Sequence, residues 1–198
     1  RRALDLATAL DAQDIQPRIR ADLAASLLAA SERNATMQPA RAIDQIRAAL
    51  DLLDPKDPRR PPALARLGTA LHARYEMPQA VEAFEAARAA FADLGDEMAA
   101  TGLVFRYVAA LLDVGQDAKA QAALEEARPI LEANPGPGLV DLLIEQAIRG
   151  ARVDDPVGTA RAAEDALKLA ASLGLPRPYR AAMYRAIGRM GMTGPDAD

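Results

Sequence analysis

The 198-residue chain has no Cys and no Trp, only three Phe, four Tyr and a single His, and just three Lys beside 21 Arg. Without Cys there can be no disulfide, thiolate metal site or cysteine nucleophile, and a reducing compartment suits such a chain. The aromatic and β-branched residues that fit a pleated sheet are scarce, which argues against a β-sandwich or barrel. No stretch reaches the ~18–20 uninterrupted apolar residues of a membrane span, and no basic segment leads into an apolar signal core. The expectation is a cytoplasmic protein with no membrane contact of its own.

What fills the space is Ala, 47 copies, and Leu, 25 copies. These residues head the helix-propensity ranking, so the chain is expected to be helical throughout. Its net charge is −4, which implies no general polyanion-binding surface and no nucleic-acid partner for this domain. One stretch departs from the average. Between Asp165 and Asp196 there is no acid, while Lys168, Arg177, Arg180, Arg185 and Arg189 all fall there.

Pro and Gly punctuate the sequence at Pro39, Pro55 to Pro62, Pro78, Gly95, Gly115, Asn134 to Gly138, Pro156, Gly174 and Pro176 to Pro178. The segments between them carry apolar residues at three- and four-residue spacing, as in Leu64, Leu67, Leu71 and in Val104, Tyr107, Val108, Leu111. That spacing predicts amphipathic helices near 2–11, 18–34, 39–53, 61–75, 78–94, 96–114, 117–133, 138–151, 156–173 and 178–191. Pro129 falls inside one of them and predicts a kink or an early helix end.

The helices repeat with a step of 40. Leu64, Val104, Ile144 and Tyr184 fall on one row, Leu67, Tyr107, Ala147 and Ile187 on another, and Gly68, Val108, Ile148 and Gly188 on a third. In the partner helices the rows are Ala80, Ala120, Ala160 and Ala87, Ala127, Leu167. The row Phe84, Leu124, Glu164 puts a charge on an apolar site unless Ala163 replaces Glu164 by a one-residue slip. A mid-helix Gly is costly relative to Ala, so Gly68 and Gly188 are expected where another helix crosses closely.

Leu67-Gly68, Leu71, Ala80, Phe84 and Ala87, with Ile187-Gly188 repeating the pair, resemble the tetratricopeptide repeat. Leu64 replaces its usual aromatic residue, and the Pro that closes its unit is absent or displaced. The units are 40 residues rather than the family's usual 34, as in longer-helix variants from large bacterial regulators and signalling proteins. The resemblance implies an all-α, right-handed α-solenoid of stacked antiparallel helix pairs, about ten helices, forming one domain over 1–198. The best units are 61–100, 101–140 and 141–180, with partial or divergent ones at 1–60 and 181–198. Because the chain starts at Arg1 without Met, inside a helical pattern, it is expected to be a piece of a larger protein.

Catalytic motifs are missing. No glycine-rich loop precedes Lys56, Lys119 or Lys168, and no nucleophile elbow surrounds Ser26, Ser31 or Ser172. The lone His72 reads as a solvated or groove-lining residue. Asp154-Asp155 before Pro156 reads as a helix cap, and no metal or other cofactor is called for. A non-enzyme is expected.

In the family resembled, the first helices of successive units line a concave groove for peptides or proteins. That correspondence points to Ala65, Thr69 and His72, then Phe105, Ala109 and Leu112, then Glu145, Arg149 and Arg152, and finally Arg185, Arg189 and Met192. Phe105 and Leu112 would be apolar anchors, and Arg149, Arg152, Arg185 and Arg189 would grip an acidic partner. The alternative is that these arginines are ordinary surface residues, with Glu145 and Arg149 paired along the helix. The leading function is a partner-binding scaffold or sensor within a bacterial regulatory or signalling protein. A peptide-sensing regulator and an all-α enzyme are the other readings. The last unit lacks its second helix, so its apolar face is expected to meet another domain, a second copy or a further helix.

Overall fold

The computed structural model describes residues 15–192, and among them every regular element is a helix. These are α1 (Ile15–Asn34), α2 (Pro39–Leu52), α3 (Arg60–Ala73), α4 (Met77–Asp93), α5 (Glu97–Gly102), α6 (Val104–Asp113), α7 (Asp117–Ala133), α8 (Pro137–Arg152), α9 (Pro156–Ser172) and α10 (Tyr179–Met192). The helix expected at 2–11 lies outside the described residues. No described helix is long and apolar enough to cross a membrane.

The helix ends follow from local chemistry. Proline stands in the first two positions of α2, α3, α4, α8 and α9, where its missing N–H costs no intrahelical bond. The Asp96 carboxylate accepts from Ala99 N–H (3.0 Å) at the start of α5, and that of Asp155 accepts from Gly158 N–H (2.8 Å) at the start of α9. Tight turns follow α4, α6 and α9 with Gly95, Gly115 and Gly174 in the left-handed region, while Tyr75 and Asp154 take that conformation after α3 and α8.

Two details differ from the sequence expectation. The helix expected over 96–114 is interrupted at Leu103, so α5 and α6 are separate. The Leu103 N–H reaches back to Ala100 O (3.3 Å), a tight-turn bond in place of the helical ladder, and its side chain is buried with Ala65 and Ala87. Conversely, α7 runs through Pro129 to Ala133, and Pro129 does not end it.

The chain divides into two compact units, Arg1–Gln121 and Ala122–Asp198, with the boundary inside α7. In unit 1, α1 packs on α2 and α3 on α4 as antiparallel hairpins, and α4 also packs on α5 and α6. Its buried side chains include Ile43, Ile46, Leu71, Val81, Phe84, Val104 and Leu111. Gly68 sits where α3 crosses α4, and a Cβ there would meet the Phe84 ring at 2.8 Å. In unit 2, α8 packs on α9 and α9 on α10 around Val140, Ile144, Ile148, Ala166, Ala170 and Ala181. Gly188 lies against backbone: a Cβ there would stand 2.6 Å from Ala160 N and from Pro156 O. The slip on α9 is real, since Ala163 is fully buried and Glu164 is not.

Candidate partner-binding surfaces

Each unit has its own open cleft. In unit 1 the cleft measures about 370 Å³ and is walled by the first helices α1, α3 and α6. Its base includes the buried Ala42 and Ile46 of α2, beside Ala35, Ala70 and Ala73. The rim is polar. Arg66 pairs with Glu32, and Arg106 donates to Thr69 Oγ1 (3.5 Å), while Thr69 donates to Ala65 O (3.0 Å). The apolar base offers contact area, and the exposed guanidiniums offer charge-assisted bonds to an anion.

Of the residues named from sequence in unit 1, Thr69 lines this cleft. His72 instead donates its Nε2–H to the Asp113 carboxylate (2.8 Å), tying α3 to α6. Phe105 and Leu112 are half-buried, and neither lines the cleft. The surface row runs one residue further along, through Arg66 and Arg106. Those two arginines are 40 residues apart, so the repeat step itself was the signal that could have found them.

Unit 2 places its candidates differently. Arg180 pairs with Glu145 (3.1 Å), and the Glu145–Arg149 pair of the alternative reading is not formed. Glu164 takes Lys168 (3.3 Å) and, more distantly, Arg189 (3.9 Å). The cations of the acid-free stretch are thus partly neutralised by acids that precede it in sequence. Arg152 is exposed and Arg185 half-buried.

Arg149 lines a cleft of about 420 Å³ together with Glu125 and Arg128 of α7, Gln146 of α8, and Arg161 and Asp165 of α9. Arg128 bonds Glu125 (3.0 Å), which holds the guanidinium above its ordinary pKa, and donates to the Gln146 amide oxygen (2.7 Å). The α8 positions lining this cleft, Gln146, Arg149, Gly150 and Val153, stand two repeat steps beyond Arg66, Thr69, Ala70 and Ala73 of unit 1. Among the described residues, no three His, Asp or Glu side chains are grouped to hold a metal.

No protein-family model matches the chain, and no curated protein does. Among solved structures it is similar to a Podosopora anserina protein described as kinesin light chain nearly identical TPR-like repeats. The likeness has a TM-score of 0.66 at 17% identity and covers 87% of each chain. The fold is therefore that of TPR-like helical repeats.

Proposed function

We propose that this chain is a non-enzymatic, partner-binding module, and that unit 1 takes a protein segment in the groove between α1, α3 and α6. The observation that carries the reading is the pairing of an apolar base, Ala42, Ile46 and Ala70, with the exposed Arg66 and Arg106 on its rim. A segment presenting a small apolar side chain next to an acidic one satisfies both. TPR-like repeats serve in general as protein-interaction scaffolds, which supports the same assignment.

The finer parts of the proposal rest on sequence. The 40-residue step and the resemblance to long-unit repeats support a sensor or scaffold role in a larger bacterial regulatory protein, and the lack of Cys supports a cytoplasmic setting. Self-association is supported by α10, where Ile187, Met190 and Met192 are 38%, 65% and 39% exposed.

Selection of displayed random peptides on the whole chain tests the groove. Acidic residues adjacent to Ala, Val or Leu should be enriched, and titration of a selected peptide should weaken with added salt. Arg106→Glu should weaken it about tenfold or more. Selected peptides without acids, or an unchanged affinity for Arg106→Glu and Arg66→Glu, would remove the groove assignment.

A further inference from the structure

The unit 2 cleft has a different chemistry from the unit 1 groove, and its charges sort into two sets. Glu125 and Arg128 bond each other, Gln146 accepts from Arg128, and the Asp155 carboxylate is spent on the Gly158 N–H. The Gly158 and Thr159 amides at the start of α9 are thus already served from within. Arg149 on α8 and Arg161 on α9 form the second set. Both are exposed, both line the cleft, and neither makes an ion pair or side-chain hydrogen bond with a described residue. Asp165, one turn beyond Arg161 on the same wall, is likewise unengaged.

Two arginines from adjacent helices opening on one concavity gain most from an anion that both can hold. A carboxylate has two oxygens, which a single guanidinium fork can occupy. A phosphate monoester has three oxygens and about two negative charges, enough for two forks. The geometry points to a phosphoryl-binding site in unit 2, with Arg149 and Arg161 as the clamp and the charge of Arg128 already met by Glu125 and Glu132. Asp165 and Asp155 are the opposing charges, and they set the affinity below what the arginines alone would give. The same chemistry is offered by a phosphorylated side chain and by a free phosphate.

The test uses the whole chain with ¹⁵N-labelled arginine and follows the Nε–Hε signals during titration with inorganic phosphate, ionic strength being held constant with NaCl. Signals assigned by Arg149→Lys and Arg161→Lys should shift saturably, while that of the exposed Arg47 in unit 1 should not. Arg149→Gln and Arg161→Gln should each weaken binding about tenfold, and Asp165→Asn should tighten it about threefold. A tripeptide Ala-phosphoserine-Ala that binds more tightly than inorganic phosphate places the ligand on a protein, and equal affinity favours free phosphate. Either result supports the site.

Shifts spread evenly over all exposed arginines, the absence of saturation, or equal binding of Ala-Glu-Ala would overturn it. Arg66→Glu and Arg106→Glu should leave the phosphate titration unchanged, so failure of this site and failure of the unit 1 groove are separately visible.

Discussion

The two units solve one packing problem in different ways. In unit 1 the α3–α4 crossing is filled by a ring: Gly68 leaves room, and Phe84, 1% exposed, occupies it. In unit 2 the corresponding helix carries Ala163, Ala166 and Ala170, and contact is made by bringing backbones together at Gly150 against Thr159 and at Gly188 against Ala160 and Pro156. A side chain can turn or be shortened by mutation, whereas a backbone contact yields only if the helices part. Glycines on one sequence row thus need not serve one kind of contact.

The largest expected effect comes from adding a methyl group at each crossing. Ala regains ~1 kcal/mol of helix propensity over Gly in both places. Against that, overpacking costs roughly 1–3 kcal/mol, at the high end for Gly188, whose new Cβ meets backbone, and at the low end for Gly68, whose Cβ meets a ring. Gly188→Ala should therefore lower the urea midpoint clearly, and Gly68→Ala only slightly. Placing Gly68→Ala in a Phe84→Leu background sharpens the contrast: the substitution should become less costly there, giving a coupling of about 1 kcal/mol in a double-mutant cycle. Equal losses at the two glycines, with no coupling to Phe84, would dissolve the distinction.

These crossings also mark how far sequence reasoning reaches. A rule of 3.6 residues per turn and a step of 40 located the helices and put Gly68 and Gly188 at crossings, because both follow from repeated local patterns. What each glycine touches depends on which helix packs beside it, and the row alone does not carry that. The site shows the same limit. On α3 and α6 alike the residue facing the cleft is Arg66 or Arg106, one position beyond Ala65 and Phe105. Which of two adjacent positions meets the cleft depends on how the neighbouring helices pack, and the apolar spacing of one helix does not carry that. Arg149 and Arg152 lie three residues apart on one helix, yet only Arg149 shares a cleft with Arg161, because the position of α9 decides which of them has a neighbour and the α8 sequence does not carry it.

A smaller effect is expected at the turns between paired helices. Tyr75 has φ +61° and is 84% exposed, while Gly115 holds the equivalent turn one repeat later in the same unit and Asp154 (φ +56°) does so in unit 2. A bulky side chain in the left-handed region costs roughly 1–2 kcal/mol, and Asp tolerates it better. Glycine gives back part of the gain through unfolded-state entropy. Tyr75→Gly should thus stabilise by ~0.5–1 kcal/mol, and Asp154→Gly by about zero. Thermal unfolding would decide it, and a destabilised Tyr75→Gly would mean that the ring holds the turn through contacts its exposure does not suggest.

The smallest effect separates the units by pH. In unit 1 the Tyr107 hydroxyl (2.5 Å) and Lys119 (2.9 Å) hold the Glu85 carboxyl below its ordinary 4.5, and Arg59 holds Asp57 below its ordinary 3.8. A lowered carboxyl contributes stability that is complete above the unfolded value and is lost as pH falls through the folded one. In unit 2 the sign is reversed. Partial desolvation pushes the carboxyl of Asp141, which is itself exposed, above 3.8, with Arg180 opposing, so its charge is at most a small cost at neutral pH that disappears on acidification. The Glu85 side chain is 41% exposed, and solvent screening keeps the effect modest. Urea midpoints from pH 7 down to pH 3 should therefore fall less steeply for Glu85→Gln and Asp57→Asn than for the parent chain. Asp141→Asn should instead be slightly more stable at pH 7, with the advantage fading below pH 4. If all three variants paralleled the parent profile, these carboxyls would carry no share of the acid response, and its origin would lie in the net charge of the chain.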